Sequence, residues 1–92
     1  MTARTTFTIT MRDGAPVVSA APRRTAVAAE ATLAGRWLRI ALSGTGDVEL
    51  RVAGADDVDV RGGYLYAMPG DPYVVRAHVD GRLTVSARLR RP

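Results

Sequence analysis

Arg36 to Val52, RWLRIALSGTGDVELRV, is the stretch whose reading decides the fold. Leu38, Ile40 and Leu42 alternate with Trp37, Arg39 and Ala41. A cluster of turn formers, Ser43-Gly44-Thr45-Gly46-Asp47, follows, and Val48, Leu50 and Val52 then alternate with Glu49 and Arg51. A period of two, with the larger apolar side chains on one side, marks a half-buried strand. Two such runs around small polar residues predict a β-hairpin with one apolar face.

The same period extends outward in both directions. Thr5 to Met11 sets Phe7, Ile9 and Met11 against Thr6, Thr8 and Thr10, a first strand rich in β-branched residues. Asp13-Gly14 is a hairpin signal that returns Val17 and Val18 beside it, with Pro16 at an edge or a strand start. SAAPRR, residues 19–24, reads as a connection or an extended arm. In the next piece Val27, Ala29, Ala31 and Leu33 alternate with Ala28, Glu30 and Thr32, which favours a strand over the helix that alanine content suggests. Residues 13–35 are therefore an arm or an edge-strand segment.

Beyond the central stretch, Gly54-Ala55-Asp56 forms a turn, and Val58 and Val60 alternate with Asp57, Asp59 and Arg61. Gly62-Gly63 breaks that strand, Tyr64 to Met68 resumes, and Pro69-Gly70-Asp71-Pro72 cannot continue a ladder. Asp80-Gly81 then divides Tyr73 to Val79 from Leu83 to Leu89 as a second hairpin. About eight short strands with turn signals roughly every ten residues predict one all-β domain over residues 1–92, a small antiparallel β-sandwich of jelly-roll or Ig-like kind.

Composition bounds what such a domain can do. Of its hydrophobic residues, 15 are Ala and 11 are Val, so the core is thin, and the absence of cysteine removes any disulfide compensation. Stability is expected to draw partly on association with other chains. Met1 to Met11 alternates rather than forming the apolar segment of a signal peptide, and no apolar run approaches the ~20 residues of a membrane span. All 13 basic residues are Arg, at a net charge of +4, and arginine's planar fork suits interfaces.

No constellation announces a reaction. A lone His78 cannot build a metal site that needs several histidines or cysteines, and on the Arg76 face of its strand it reads as a solvent-facing residue. Asp56, Asp57 and Asp59 fit no cation loop and read as a solvated acidic patch pairing with arginines. Arg23-Arg24 and Arg88, Arg90 and Arg91 lack the interleaved aromatics of a single-strand nucleic-acid binder, and better suit an edge guarded against aggregation. An enzyme, a cofactor and a nucleic-acid partner are accordingly not expected.

The outward row of the central stretch, Trp37, Arg39, Glu49 and Arg51, is the favoured contact surface. With Tyr64, Tyr66 and Tyr73 it yields a candidate interface of Trp37, Arg39, Arg51, Tyr64, Tyr66 and Tyr73, since Trp, Tyr and Arg are enriched at protein contacts. The alternative is a carbohydrate-binding module with Trp37, Tyr64 and Tyr66 as its platform, which the total lack of Asn and Gln weakens.

LSGTGDVELRV (residues 42–52), MPGDPYVVRAHVDG (68–81) and LTVSARLRR (83–91), within residues 35–90, resemble small β-sandwich proteins of tailed bacteriophages and phage-like particles. The resemblance implies a non-enzymatic structural protein, a capsid decoration, head-fibre or tail-accessory part. It implies a homo-oligomer that also contacts other structural proteins, located in a virion, and it brings no catalytic residues.

Overall fold

The computed structural model describes residues 4–22 and 25–90. Among these there is no helix, and seven strands form one mixed sheet: β1 (Thr5–Arg12), β2 (Ala15–Ala21), β3 (Val27–Ala34), β4 (Trp37–Val52), β5 (Ala55–Arg61), β6 (Tyr66–Met68) and β7 (Tyr73–Leu89). The all-β class and the small sandwich are as expected; the way the sandwich is made is not.

Neither the Ser43–Asp47 hairpin nor the Asp80–Gly81 hairpin exists. β4 and β7 run unbroken through both clusters and pair antiparallel along their whole length, from Trp37 opposite Arg88 to Val52 opposite Tyr73. Gly44 faces Gly81 in the middle of this ladder, both with left-handed φ (121° and 93°). Glycine on both strands lets the ladder bend where paired side chains would resist it.

The bend is large. Sixteen residues of straight strand span about 53 Å, yet the longest dimension of the protein is 41 Å. Moreover, the two ends of the ladder meet. Leu89 donates its backbone N–H to the Arg36 carbonyl (2.8 Å) and Arg90 to the Gly54 carbonyl (2.8 Å), so the turn after Val52 touches the strand that pairs with Trp37. One sheet thus folds over its own apolar face. β3, the first half of β4, the second half of β7 and β5 make one layer. β2, β1, the second half of β4, the first half of β7 and β6 make the other.

Side-chain parity is conserved through the bend, which is why one core serves both layers. Leu38, Ile40, Leu42, Val48, Leu50 and Val52 on β4, and Val75, Ala77, Val79, Leu83, Val85 and Ala87 on β7, all point inward and are buried. Phe7 and Ile9 of β1 join them, as does Val27 of β3. Full burial of a Leu or Ile contributes about 1.5–3 kcal/mol, so the buried Leu and Ile side chains with Phe7 carry much of the stability of this interior.

Two further expectations change. The sheet is not wholly antiparallel: β1 lies parallel to the second half of β4, Thr5 opposite Val48 through Ile9 opposite Val52. There are also seven strands rather than eight, because the runs on either side of each glycine cluster are single strands, and only Tyr66–Met68 of the Tyr64–Met68 run is a strand. Most of the described residues of 13–35 lie in β2 and β3, the edge-strand alternative rather than an arm. Asp13-Gly14 makes the two-residue turn, both residues at positive φ (54° and 78°), and β2 and β3 are edge strands whose inward residues pack on the core. Arg23, Arg24 and Arg91 lie outside the described residues.

Candidate functional site

Folding the sheet back on itself divides the expected contact residues between two outer faces that point away from each other. On the first layer, Trp37, 43% exposed, stands beside Arg39 on β4. Across the layer, Arg39 is opposite Thr32 on β3 and Ser86 on β7, and Ser86 is opposite Asp59 on β5. With Thr84, Arg61 and Ala34 these residues line an open groove of about 720 Å³. Arg61 lies 3.9 Å from Asp59, a loose surface pair of the kind that contributes little.

The second layer's outer face is organised by a carboxylate. Glu49 points outward from β4 as its parity demands, yet its side chain is only 7% exposed because two arginines roof it. Arg51 Nε donates to Glu49 Oε2 and Arg76 Nε to Glu49 Oε1, each at 2.9 Å. The Arg76 hydrogen bond, opposed by burial and reinforced by Arg51, holds the Glu49 carboxyl below its ordinary pKa. The Tyr66 ring lies 5.6 Å from the Arg76 guanidinium carbon, a cation–π contact, and the Tyr66 hydroxyl approaches Met68 Sδ at 3.4 Å.

One step further along the same face, His78 Nδ1 is 2.8 Å from Asp47 Oδ1, and both residues are about half exposed. Among the described residues no hydroxyl is hydrogen-bonded to His78.

The segment leading into β6 is apolar and open. Tyr64 (57%), Leu65 (73%), Tyr66 (45%) and Met68 (47%) are the most exposed large hydrophobic side chains besides Trp37 and Val17. Only one backbone bond, from the Leu65 N–H to the Arg76 carbonyl (3.1 Å), ties the start of this segment to the sheet.

Tyr73 leaves the expected interface. It sits opposite Val52 on the inward row of β7 and is buried at 8% exposure. The remaining candidates form two groups, Trp37 with Arg39 and Arg51 with Tyr66, and Tyr64 lies in the connection that precedes Tyr66. Trp37 therefore cannot share a platform with Tyr64 and Tyr66. The C-terminal arginines are engaged at the junction of the layers. Arg88 Nε donates to Asp56 at 2.9 Å, with Arg36 at 3.8 Å from the same carboxylate and Arg90 at 3.9 Å from Asp71. The Arg88 hydrogen bond, opposed by burial and helped by the charges of Arg88, Arg36 and Arg90, lowers the Asp56 pKa. The Arg76 bond to Glu49 and the Asp47–His78 pair were not foreseen, because each joins β4 to a β7 residue 27 or 31 positions away, whereas Arg51 and Glu49 are two residues apart on one strand.

Comparison with protein-family models, with curated proteins and with solved structures finds no match.

Proposed function

We propose that this protein is a non-enzymatic structural component that assembles through protein–protein contacts, with the Tyr64–Met68 segment as its contact with further copies. The observation that carries the reading is four large apolar side chains, all at least 45% exposed, on the edge strand β6 (Tyr66 and Met68) and the connection that enters it (Tyr64 and Leu65). Such a run on so small a domain is characteristic of an interface. The Ala- and Val-rich composition, with no cysteine to add a disulfide, supports it. The setting we propose is the shell or tail of a phage-like particle, on the strength of the resemblance in residues 35–90.

Size-exclusion chromatography with light scattering tests the reading. The wild type is expected at a multiple of the 9.8 kDa chain mass, and the Leu65→Ser/Tyr66→Ser double variant at the mass of one chain. A single-chain wild type, or an oligomer that survives both substitutions, overturns it.

A second reading is carried by the first-layer groove, which places the Trp37 indole beside Arg39, Asp59, Thr84 and Ser86. An exposed ring flanked by charged and hydroxyl groups suits stacking on a sugar and hydrogen bonding to its hydroxyls. Glycan-array binding that Trp37→Ala abolishes would establish it, and absence of binding would discard it.

A further inference from the structure

The two arginines over Glu49 are held in a geometry that their bond to Glu49 does not exhaust. Each uses only its Nε–H on the carboxylate, and a guanidinium carries five N–H donors. Among the described residues neither has another hydrogen-bond or ion-pair partner. Their side chains are 51% and 46% exposed, above a carboxylate that is 7% exposed. Because both bonds end on the two oxygens of one carboxylate, the guanidinium Nε atoms are no more than about 8 Å apart. One negative charge between two positive ones leaves a surplus of one, directed at solvent. Glu49 and the Tyr66 ring also restrict the arginine rotamers, so an incoming anion orders little that is not already ordered.

We infer that Arg51 and Arg76 form a receptor for a carboxylate carried by an acidic segment of a protein partner, with Glu49 as the positioning residue. Planar forks match carboxylate geometry. Val74, opposite Arg51 across the ladder, gives the site an apolar rim for the side chains that flank a carboxylate in a peptide. The net charge of +4 steers such a segment toward the protein and favours a partner of opposite charge over another copy. The inference rests on the reading that the protein works through protein contacts. It is read at the arginines rather than from mass, so the two fail separately.

The test is NMR observation of the arginine Nε–H resonances at fixed ionic strength, with hexaglutamate and inorganic phosphate as separate titrants. Hexaglutamate is expected to shift Arg51 and Arg76 saturably and at lower concentration than phosphate, which meets the same forks without using the apolar rim. Arg51→Gln and Arg76→Gln are each expected to weaken binding about tenfold, the scale of one lost charge-assisted hydrogen bond. Arg82→Gln, an exposed arginine on the first layer, is expected to leave it unchanged. Retained far-UV circular dichroism shows that each variant folds. Saturation by phosphate at the same or lower concentration than hexaglutamate, saturation by neither, or an equal loss in Arg82→Gln overturns the inference.

Discussion

Replacing Gly44 with Ala tests the bent ladder where it is tightest. A Cβ at Gly44 runs into the backbone carbonyl oxygen of Ala26 and lies 3.1 Å from Val27 Cα, whereas a Cβ at Gly81, its partner across the ladder, meets nothing within 4 Å. Both substitutions put an L side chain at positive φ, which costs about 1–3 kcal/mol. Gly44→Ala adds an overpacking cost of about 1–3 kcal/mol, because the obstructing atoms are backbone at the start of β3. Gly44→Ala is therefore expected to lose about 2–6 kcal/mol in total, a large share of the roughly 5–14 kcal/mol typical of a chain this size. Urea unfolding of both variants, followed by circular dichroism and Trp37 fluorescence at one fixed protein concentration, provides the comparison. With an m-value of about 1–2 kcal/mol/M, the midpoint of Gly44→Ala falls about 1–2 M below that of Gly81→Ala. Equal midpoints would refute the reasoning, since an exposed hairpin turn at residues 43–47 leaves Gly44 as free as Gly81.

Other perturbations probe the core and the carboxylate. Leu50→Ala, at a fully buried position between β1 and β7, is expected to cost about 2–5 kcal/mol by urea denaturation. Leu65→Ala, at 73% exposure, should stay within about 0.5 kcal/mol of the wild type in a dilute, unassembled sample. The Arg76 and Arg51 bonds hold the Glu49 pKa below its ordinary value of 4.5 in the folded state, so the stability it contributes is fully present above that value and is lost as pH falls through the lower folded pKa. The advantage of wild type over Glu49→Gln, roughly 1 kcal/mol at pH 7 given the half-exposed arginines, should accordingly shrink below pH 4.5, as unfolding midpoints measured from pH 7 to pH 3 would reveal. An advantage unchanged down to pH 3 would contradict the ion-pair geometry.

Strand content and facing were legible in the residues. The alternation of Phe7 and Ile9, of Leu38, Ile40 and Leu42, and of Val58 and Val60 reports a local property, the pleat, and so survives reading one segment at a time. The connection between segments was not legible, because glycine-rich clusters serve a tight turn and a bend in a long strand equally well. Ser43–Asp47 and Asp80-Gly81 were read as turns; a long ladder bends where they lie side by side. One signal did distinguish the two. Leu42 and Val48 are an even number of residues apart, as are Val79 and Leu83, so the apolar parity passes through both clusters unbroken, which a continuous strand requires and a hairpin does not. Trp37, Arg39, Arg51, Tyr64 and Tyr66 were correctly read as exposed, but their division between opposite faces follows from the bend. Tyr73 was misplaced because it was grouped with the exposed aromatics by residue type, although it shares the parity of the inward Val75, Ala77 and Val79.

Both candidate surfaces depend on β4 and β7 being single strands paired across Gly44 and Gly81, and cross-strand nuclear Overhauser effects measure that directly. Contacts linking residues 44–47 with residues 78–81, together with slow exchange of the ladder amides on either side of Gly44, are the predicted result. Backbone Hα–Hα contacts pairing Leu42 with Val48 and Val79 with Leu83, as two separate hairpins require, would contradict it.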